Sequence, residues 1–222
     1  MNEKKVSILE LPNLMRGIFL SRPNRFVGEI EYEGRTETAH IHDPGRLTEL
    51  LLKGVEVLFT YSNGKLKYYI KAVRTEDEWV LIDTALHSKI AMEVFSFLPE
   101  LSDIKEIKKE VKIGNSRIDF VLDGVPLEVK GVSLVRDGIA LFPDAPTERG
   151  ARHVREIIEY NGIILLLVVR QAKSFCPNWE MDPKFSNNLS EARRKGIKII
   201  PVQISFDGKT IYFERKIPLS NF

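Results

Sequence analysis

The sequence predicts an α/β protein with two domains, a small β-barrel in residues 1–83 and an α/β domain with a mixed sheet in residues 84–222. Five short strand patterns separated by turn residues fill about 60 residues of the first part. In the second part helical periodicity alternates with strands, and one uninterrupted apolar run, residues 163–169, suits a strand covered on both faces. A chain of 222 residues is long enough for both domains to bury a core.

The composition indicates a folded protein of the cell interior. Apolar residues make up 43% of the chain and charged residues 29%, which excludes a disordered chain. No apolar stretch approaches the roughly 20 residues of a membrane span. The first residues, Met-Asn-Glu-Lys-Lys, lack the apolar region of a signal peptide, so a cytoplasmic protein without membrane partners is expected. The single cysteine, Cys176, excludes an intramolecular disulfide and a Cys-rich zinc site.

Turn residues divide the first domain into five strands. Glu33-Gly34 and Asn63-Gly64 are turn dipeptides between alternating segments. The predicted strands are residues 26–32, 36–41, 55–61, 67–73 and 79–82. Residues 45–53, between the second and third strands, are predicted to form a short helix that ends at Gly54. This pattern is typical of a small closed barrel of the OB type.

Helix caps and apolar periodicity divide the second domain. Leu86, Ile90, Val94 and Leu98 recur in steps of four, as on one face of a helix. The predicted elements are a helix at residues 84–98, a strand at 104–113, a hairpin at 116–131, a helix from Thr147 to Asn161-Gly162, a strand at 163–169, a helix from Asp182-Pro183 to Gly196, and strands at 198–206 and 210–213. The order α-β-β-β-α-β-α-β-β predicts a mixed sheet.

The hairpin of residues 116–131 carries the clearest functional pattern. Its turn is Asp123-Gly124, the dipeptide that most readily adopts a tight hairpin turn. A two-residue turn places Asp119 opposite Glu128 and Arg117 opposite Lys130, with the apolar side chains on the other face. Facing carboxylates repel each other at the roughly 5 Å spacing of a cross-strand pair, unless a cation lies between them.

These residues predict a metal site with a lysine beside it. The carboxylates of Asp119 and Glu128 and the carbonyl of Val129 are hard ligands that suit Mg²⁺ or Mn²⁺. Such an ion can activate a water and neutralise charge on a phosphate. Lys130 lies on the same face as Glu128, where it can contact that water. The alternative is a solvated polar face on which Arg117 and Lys130 simply pair with the two acids.

Longer segments resemble a known family. An Asp followed by Glu-x-Lys on the next strand resembles the PD-(D/E)xK nuclease superfamily. The segments "RPNRFVGEIEYEG", "NSRIDFVL", "LEVKGVSL", "LFPDAPTERGARHVREI" and "DPKFSNNLSEARRKGIKI" are similar to the sugar fermentation stimulation protein A family. "AHIHDPGRL" departs from the "AH-x-PNTG" of many members, although Gly45 and Arg46 match. The resemblance implies an OB-like domain, a nuclease-like domain, and DNA binding.

Other candidate site residues surround this core. Glu93, on the preceding helix, is a candidate third metal ligand, and Glu148 competes with it; each also fits an ordinary exposed helix glutamate. Arg149, Arg152 and His153 share one face near a helix N-terminus and are candidates for phosphate binding, or for a solvated basic face. In the barrel, the candidate phosphate contacts are basic residues, namely Arg22, Arg25, Arg46, Lys65 and Lys67. His40 and His42 invite a zinc interpretation, but a third ligand is missing, and barrel histidines account for them better.

Two functions are therefore expected from the sequence. The first is a Mg²⁺- or Mn²⁺-dependent nuclease, in which Asp119 and Glu128 hold the metal, Lys130 positions the water and Arg149 binds a phosphate. The second is a DNA-binding regulator of sugar metabolism that keeps the nuclease fold without catalysis. Retention of Asp119, Glu128 and Lys130 together favours the enzyme. With a net charge of only +2, DNA binding has to come from local patches. The oligomeric state stays open.

Overall fold

A computed structural model of the chain describes residues 5–222. It divides into two compact units, one formed by the residues up to Leu86 together with Ile204–Glu214, the other by His87–Gln203 together with Arg215–Phe222. These units differ from the predicted domains of residues 1–83 and 84–222 in one respect, because the hairpin around Asp207-Gly208 is part of the first unit. The pairing of Phe206 with Trp79 explains this assignment, since it joins the late hairpin to an early strand.

The first unit contains a closed five-stranded barrel. Its strands up to Leu86 are β1 (Val6–Glu10), β2 (Met15–Asn24), β3 (Val27–Tyr32), β4 (Arg35–His40), β5 (Glu56–Tyr61), β6 (Tyr68–Arg74) and β7 (Trp79–Leu81). Strands β2, β3 and β4 form a meander, β5 pairs with both β2 and β6, and a parallel pairing of β4 with β6 closes the barrel. This connectivity is that of an OB fold, as predicted.

Two details of the barrel differ from the prediction. The barrel begins with Met15–Asn24, which the sequence pattern did not reveal, and Trp79–Leu81 extends the sheet beyond the five barrel strands. The missed strand contains Gly17, where an added Cβ would lie 2.8 Å from the carbonyl oxygen of Glu31, so the position must stay without a side chain. The predicted helix at residues 45–53 is wrong. Leu47 has a φ of 52°, which a right-handed helix excludes, and turns replace the helix.

The second unit is a mixed sheet with helices on its faces. Its elements begin with α1 (His87–Phe95), β8 (Ile107–Ile113), β9 (Ser116–Leu122), β10 (Val125–Val132), β11 (Leu134–Arg136) and β12 (Ile139–Phe142). They continue with α2 (Glu148–Glu159), β13 (Ile163–Val168), β14 (Ser174–Pro177), α3 (Pro183–Arg194), β15 (Lys198–Phe206) and β16 (Thr210–Lys216). The end of β15 and most of β16 lie in the first unit. None of the described helices is long and apolar enough to cross a membrane.

Strand β13 lies at the centre of this sheet. It runs parallel to β10 on one side and to β15 on the other, and every one of its residues is buried, as the uninterrupted apolar run predicts. Beyond β10 the sheet continues with β9 and β8. Helices α2 and α3 share a core with one face of β13, through residues that include Val154, Phe185 and Leu166. On the other face of β10, Gly131 lies against the ring of His87 at the start of α1.

The helix boundaries follow the sequence signals closely. The side chain of Thr147 accepts a hydrogen bond from the backbone N–H of Gly150, and Asp182 does the same for Phe185, so both predicted N-caps are confirmed. The first predicted helix is shorter than expected, because residues Thr84–Leu86 form a 3-10 turn before α1. The small sheet of β11, β12 and β14 was not predicted, since its strands have only three or four residues.

Replacing Thr147 by alanine is expected to destabilise the protein by about 1 kcal/mol, because the N–H of Gly150 loses its acceptor at the start of α2. Thr147→Ser keeps the hydroxyl and is the matched control. Urea denaturation of the three proteins measures the effect. Equal midpoints for the alanine and serine variants would show that the cap contributes nothing.

Candidate functional site

The hairpin of β9 and β10 has the predicted turn, and its register is the predicted one as far as the pair of Phe120 and Leu127. Asp123 and Gly124 have φ angles of 48° and 87°, and Leu122 pairs with Val125. The ladder ends at the pair of Phe120 and Leu127, one residue before the predicted pair of Asp119 and Glu128. Instead, the backbone N–H of Val129 donates to the carboxylate of Asp119 over 2.7 Å. The carboxylate of Asp119 thus accepts a backbone N–H of β10 at the point where the ladder between β9 and β10 stops.

The second predicted cross-strand pair is also not formed. Arg117 is exposed, and its guanidinium lies 3.8 Å from the carboxylate of Glu110 on β8. The alternative in which Arg117 and Lys130 both pair with the site acids therefore holds only for Lys130. The site is also not a solvated face, because Glu128 is only 3% exposed.

Glu128 lies at the centre of the site, with its two oxygens in different environments. Oε1 accepts hydrogen bonds from Nζ of Lys130 and from Nδ1 of His153. Oε2 is buried and has no hydrogen-bond partner. Burial works to raise the pKa of Glu128, but the charge of Lys130 and the hydrogen bond from His153 outweigh it and lower the pKa. Glu128 is therefore ionised, with one buried oxygen left for a further ligand.

Asp119 is the acid of the site whose pKa is raised. Burial and the negative charge of Glu128 raise the pKa of Asp119 from 3.8 to about 6, although the hydrogen bond from Val129 works in the opposite direction. The two acids are thus close enough to repel each other, as the sequence predicts. A cation beside both would remove this repulsion.

His153 is buried rather than available to a phosphate. It is 2% exposed, and its ring lies between Glu128 and Arg149, whose Nε donates to Nε2 of His153 over 3.3 Å. The predicted phosphate contact by His153 is therefore wrong, because packing of α2 against β10 covers the ring. Arg149 itself is exposed, so its guanidinium remains accessible at the first turn of the helix.

The remaining helix candidates have separate positions. Arg152 is exposed and donates from Nε to the hydroxyl of Ser116 over 3.2 Å, which fastens α2 to the start of β9. Glu93 is an exposed residue of α1, and Glu148 is exposed in the first turn of α2. Within residues 5–222, no three His, Cys, Asp or Glu side chains are arranged to hold a metal ion. The structure therefore does not place Glu93 with Asp119 and Glu128 as a third ligand.

The side chains still fit a hard divalent cation. Asp119 and Glu128 supply oxygen atoms of the kind that Mg²⁺ and Mn²⁺ prefer, and Mg²⁺ commonly needs only one or two carboxylates besides waters. The buried Oε2 of Glu128 lacks any other partner. These two acids are the residues that would hold an ion, while Lys130 and His153 occupy the opposite oxygen of Glu128.

In the first unit, Arg25 and Arg46 lie on two loops that Arg22 holds together. The guanidinium of Arg22 donates to the backbone carbonyls of Arg25, Asp43, Gly45 and Arg46 over 2.6–3.1 Å. Arg25 and Arg46 themselves are exposed. The sequence predicted a phosphate contact for Arg22, and the structure corrects this, because its guanidinium binds backbone carbonyls instead. Binding to carbonyls leaves no pattern in residue types.

The barrel histidines belong to a ring cluster. His40 and His42 contact each other edge to face, with centroids 5.4 Å apart, and both contact Tyr69. The hydroxyl of Tyr69 donates to the buried carboxylate of Asp83, which also pairs with Lys71 over 2.6 Å. These histidines are not part of a three-ligand metal group in the described part of the chain.

Comparison with known proteins places the chain in a family. The family model for the SfsA N-terminal OB domain matches residues 20–82, and the model for the sugar fermentation stimulation protein RE domain matches residues 85–210. The sugar fermentation stimulation protein homolog of Methanothermobacter thermautotrophicus is 41% identical over 212 residues, which cover 89% of this chain and 88% of that protein. The homolog of Saccharolobus solfataricus is 41% identical over 213 residues, which cover 93% and 85%.

A solved structure supports the same assignment. The structure of Pyrococcus furiosus SfsA in complex with Ca²⁺ matches with a TM-score of 0.90 at 28% identity, and the match covers 97% of this chain and 100% of that chain. The Pyrococcus furiosus protein thus shares both the OB barrel and the following α/β unit with this chain. The chain belongs to the sugar fermentation stimulation protein family.

Proposed function

We propose that the chain is a DNA-binding protein with a Mg²⁺- or Mn²⁺-dependent phosphodiesterase site, in which Asp119 and Glu128 hold the ion. The observation that carries this proposal is the buried Oε2 of Glu128, which has no hydrogen-bond partner, in an acid whose charge also raises the pKa of Asp119. A buried carboxylate oxygen without a hydrogen bond is costly, and a cation is the ligand that both acids favour. The Ca²⁺ bound by the Pyrococcus furiosus relative supports an ion of this class.

Lys130 and Arg149 supply the positive groups that phosphodiester cleavage requires. Lys130 uses one N–H bond on Glu128, and its other N–H bonds can donate to a water or to a phosphate oxygen. Arg149 uses Nε on His153, which leaves the terminal N–H bonds of its exposed guanidinium for a phosphate. A bound ion would activate the attacking water and neutralise charge on the phosphate.

The barrel supports DNA binding, which the proposed enzyme shares with the second candidate function, a DNA-binding protein without cleavage. Arg25 and Arg46 extend from the two loops that Arg22 joins, and the neighbouring Phe26 is 49% exposed. The loop after the first barrel strand is part of the surface on which OB folds bind oligonucleotides, where basic residues contact phosphates and aromatic rings stack on bases.

A cleavage assay tests the enzyme proposal. Purified protein with Mg²⁺ or Mn²⁺ is offered single-stranded, duplex and branched DNA, beside Lys130→Met and the control Lys112→Met, which changes an exposed lysine of β8. We expect cleavage by the wild type and by the control, and a loss of about 10²-fold or more in Lys130→Met. No cleavage by the wild type, or equal cleavage by both variants, would refute the assigned site.

DNA binding is measured separately, without divalent ions. The double variant Arg25→Ala/Arg46→Ala is expected to bind more weakly and to reduce the slope of log K against log salt by about 2, one for each phosphate contact. Binding that depends on these arginines, together with no cleavage by the wild type, would support the non-catalytic alternative. An unchanged salt slope would remove the two arginines from the DNA-binding surface.

A further inference from the structure

Arg149, His153 and Glu128 form a continuous chain of hydrogen bonds from the protein surface into the candidate metal site. Arg149 and His153 are four residues apart on α2, so their side chains lie on the same face of the helix. Nε of Arg149 donates to Nε2 of His153, and Nδ1 of His153 contacts Oε1 of Glu128. The arginine is exposed, whereas the imidazole and the carboxylate are buried.

The chemistry of these groups assigns the proton on the imidazole. A guanidinium has only donors, so Nε2 of His153 must accept and cannot carry a proton. Nδ1 must then carry the proton and donate it to Glu128, whose carboxylate can only accept. The ring thus has one orientation and one tautomer, each set by a different neighbour.

We infer that His153 is a positioning residue that links the phosphate-binding Arg149 to the metal-binding Glu128. With Lys130 it holds Oε1 of Glu128, so that Oε2 stays free for the ion. With Nε2 it holds Nε of Arg149, so that the terminal N–H bonds point to a phosphate. Because the imidazole of His153 contacts both Glu128 and Arg149, a ligand that fixes the position of one of these side chains also helps to fix the other. This inference rests on the proposed function and adds the residue that joins its two halves.

Two amide substitutions separate the two contacts of the ring. The amide nitrogen of asparagine stands near the place of Nδ1, so His153→Asn keeps a donor for Glu128 and loses the acceptor for Arg149. Glutamine is one carbon longer and its amide reaches the place of Nε2, so His153→Gln keeps an acceptor for Arg149 and loses the donor for Glu128. Each variant is therefore the control for the other.

Binding of Mn²⁺ alone is measured by calorimetry, and binding of DNA is measured in the presence of a chelator. We expect His153→Gln to bind Mn²⁺ about 10–100-fold more weakly than the wild type, as for loss of other groups that support metal ligands, while His153→Asn binds it nearly normally. For DNA without metal the order should reverse, with His153→Asn the weaker binder. If both variants lose both affinities equally, His153 is a core residue without a linking role, and the inference is overturned.

A measurement on the wild type needs no substitution. Chemical shifts of the imidazole nitrogens distinguish a protonated from an unprotonated nitrogen, and we expect a protonated Nδ1 and an unprotonated Nε2. A proton on Nε2 would overturn the inference, even where the protein binds Mn²⁺ and cleaves DNA. Absence of Mn²⁺ binding by the wild type would instead overturn the proposed function and, with it, the metal half of the link.

Discussion

Replacing Asp119 by asparagine is expected to stabilise the metal-free protein at pH 7.5 by about 2–3 kcal/mol. The reason is the pKa of Asp119, which burial and the charge of Glu128 raise from 3.8 to about 6. At pH 7.5 the folded protein must hold this carboxylate ionised beside a second acid, whereas the unfolded chain ionises it in water. Asparagine removes the charge and keeps an oxygen for the N–H of Val129.

The pH dependence gives the sign of this effect. Below about pH 3 Asp119 is mostly protonated in both the folded and the unfolded states, so the two proteins should have similar stability there. As pH rises from about 4 to 6, the unfolded state releases the proton first, and the wild type loses stability relative to the variant. Thermal melts at pH 3 and pH 7.5, in the presence of a chelator, measure the difference.

Asp123→Asn is the matched control in the same hairpin. The pKa of Asp123 is lowered, because its carboxylate accepts hydrogen bonds from the backbone N–H groups of Lys105 and Glu106. Its substitution should therefore give no stabilisation at pH 7.5. A destabilised Asp119→Asn protein at pH 7.5 would show that the acids do not repel each other in the folded state.

Addition of Mg²⁺ or Mn²⁺ is expected to reverse the order of stability. An ion that binds only the folded wild type adds about 2.7 kcal/mol at 100 times its Kd, which cancels the difference, and about 4.1 kcal/mol at 1,000 times its Kd, which reverses the order. The gain should disappear in Glu128→Gln, because Oε2 of Glu128 is the oxygen left without a partner, and it should be much smaller in Asp119→Asn. Thermal melts in a titration with the ion measure both effects.

Glu93→Gln provides the control for this titration. Glu93 is exposed on α1 and lies in no metal-ligand group within residues 5–222, so the variant should gain as much stability from the ion as the wild type. A lost response in Glu93→Gln would restore Glu93 as a third ligand. An equal response in Glu128→Gln and the wild type would place the ion elsewhere.

Local signals predicted the frame of the candidate site correctly. The Asp123-Gly124 turn sets the register of the hairpin, since its positive φ angles suit a two-residue connection. The caps Thr147 and Asp182 mark the starts of α2 and α3, because the preference depends on one side chain and the next turn of backbone. The apolar run at Ile163–Val168 predicted the buried central strand. All of these depend on neighbours in the chain.

The errors concern contacts between distant segments. Asp119 was expected to lie opposite Glu128 in a continuous ladder, but the ladder ends one residue earlier, and the Asp119 carboxylate accepts the N–H of Val129. His153 has the spacing of a surface residue beside Arg149, and only the packing of α2 on β10 buries it against Glu128. The strand Met15–Asn24 completes a barrel through partners far along the chain.

The sequence by itself determined the two-part architecture and the hairpin with Asp119, Glu128 and Lys130, because turns, caps and residue periodicity are local properties. It also determined the family, because the segments that resemble the family are continuous along the chain. Only the tertiary structure decided how these groups are used. It buries Glu128 with one oxygen held by Lys130 and His153 and the other without a partner. It also makes the late hairpin, Ile204–Glu214, part of the first unit. Both features depend on burial and on pairing between segments that are distant in the sequence, so no local residue pattern predicts them.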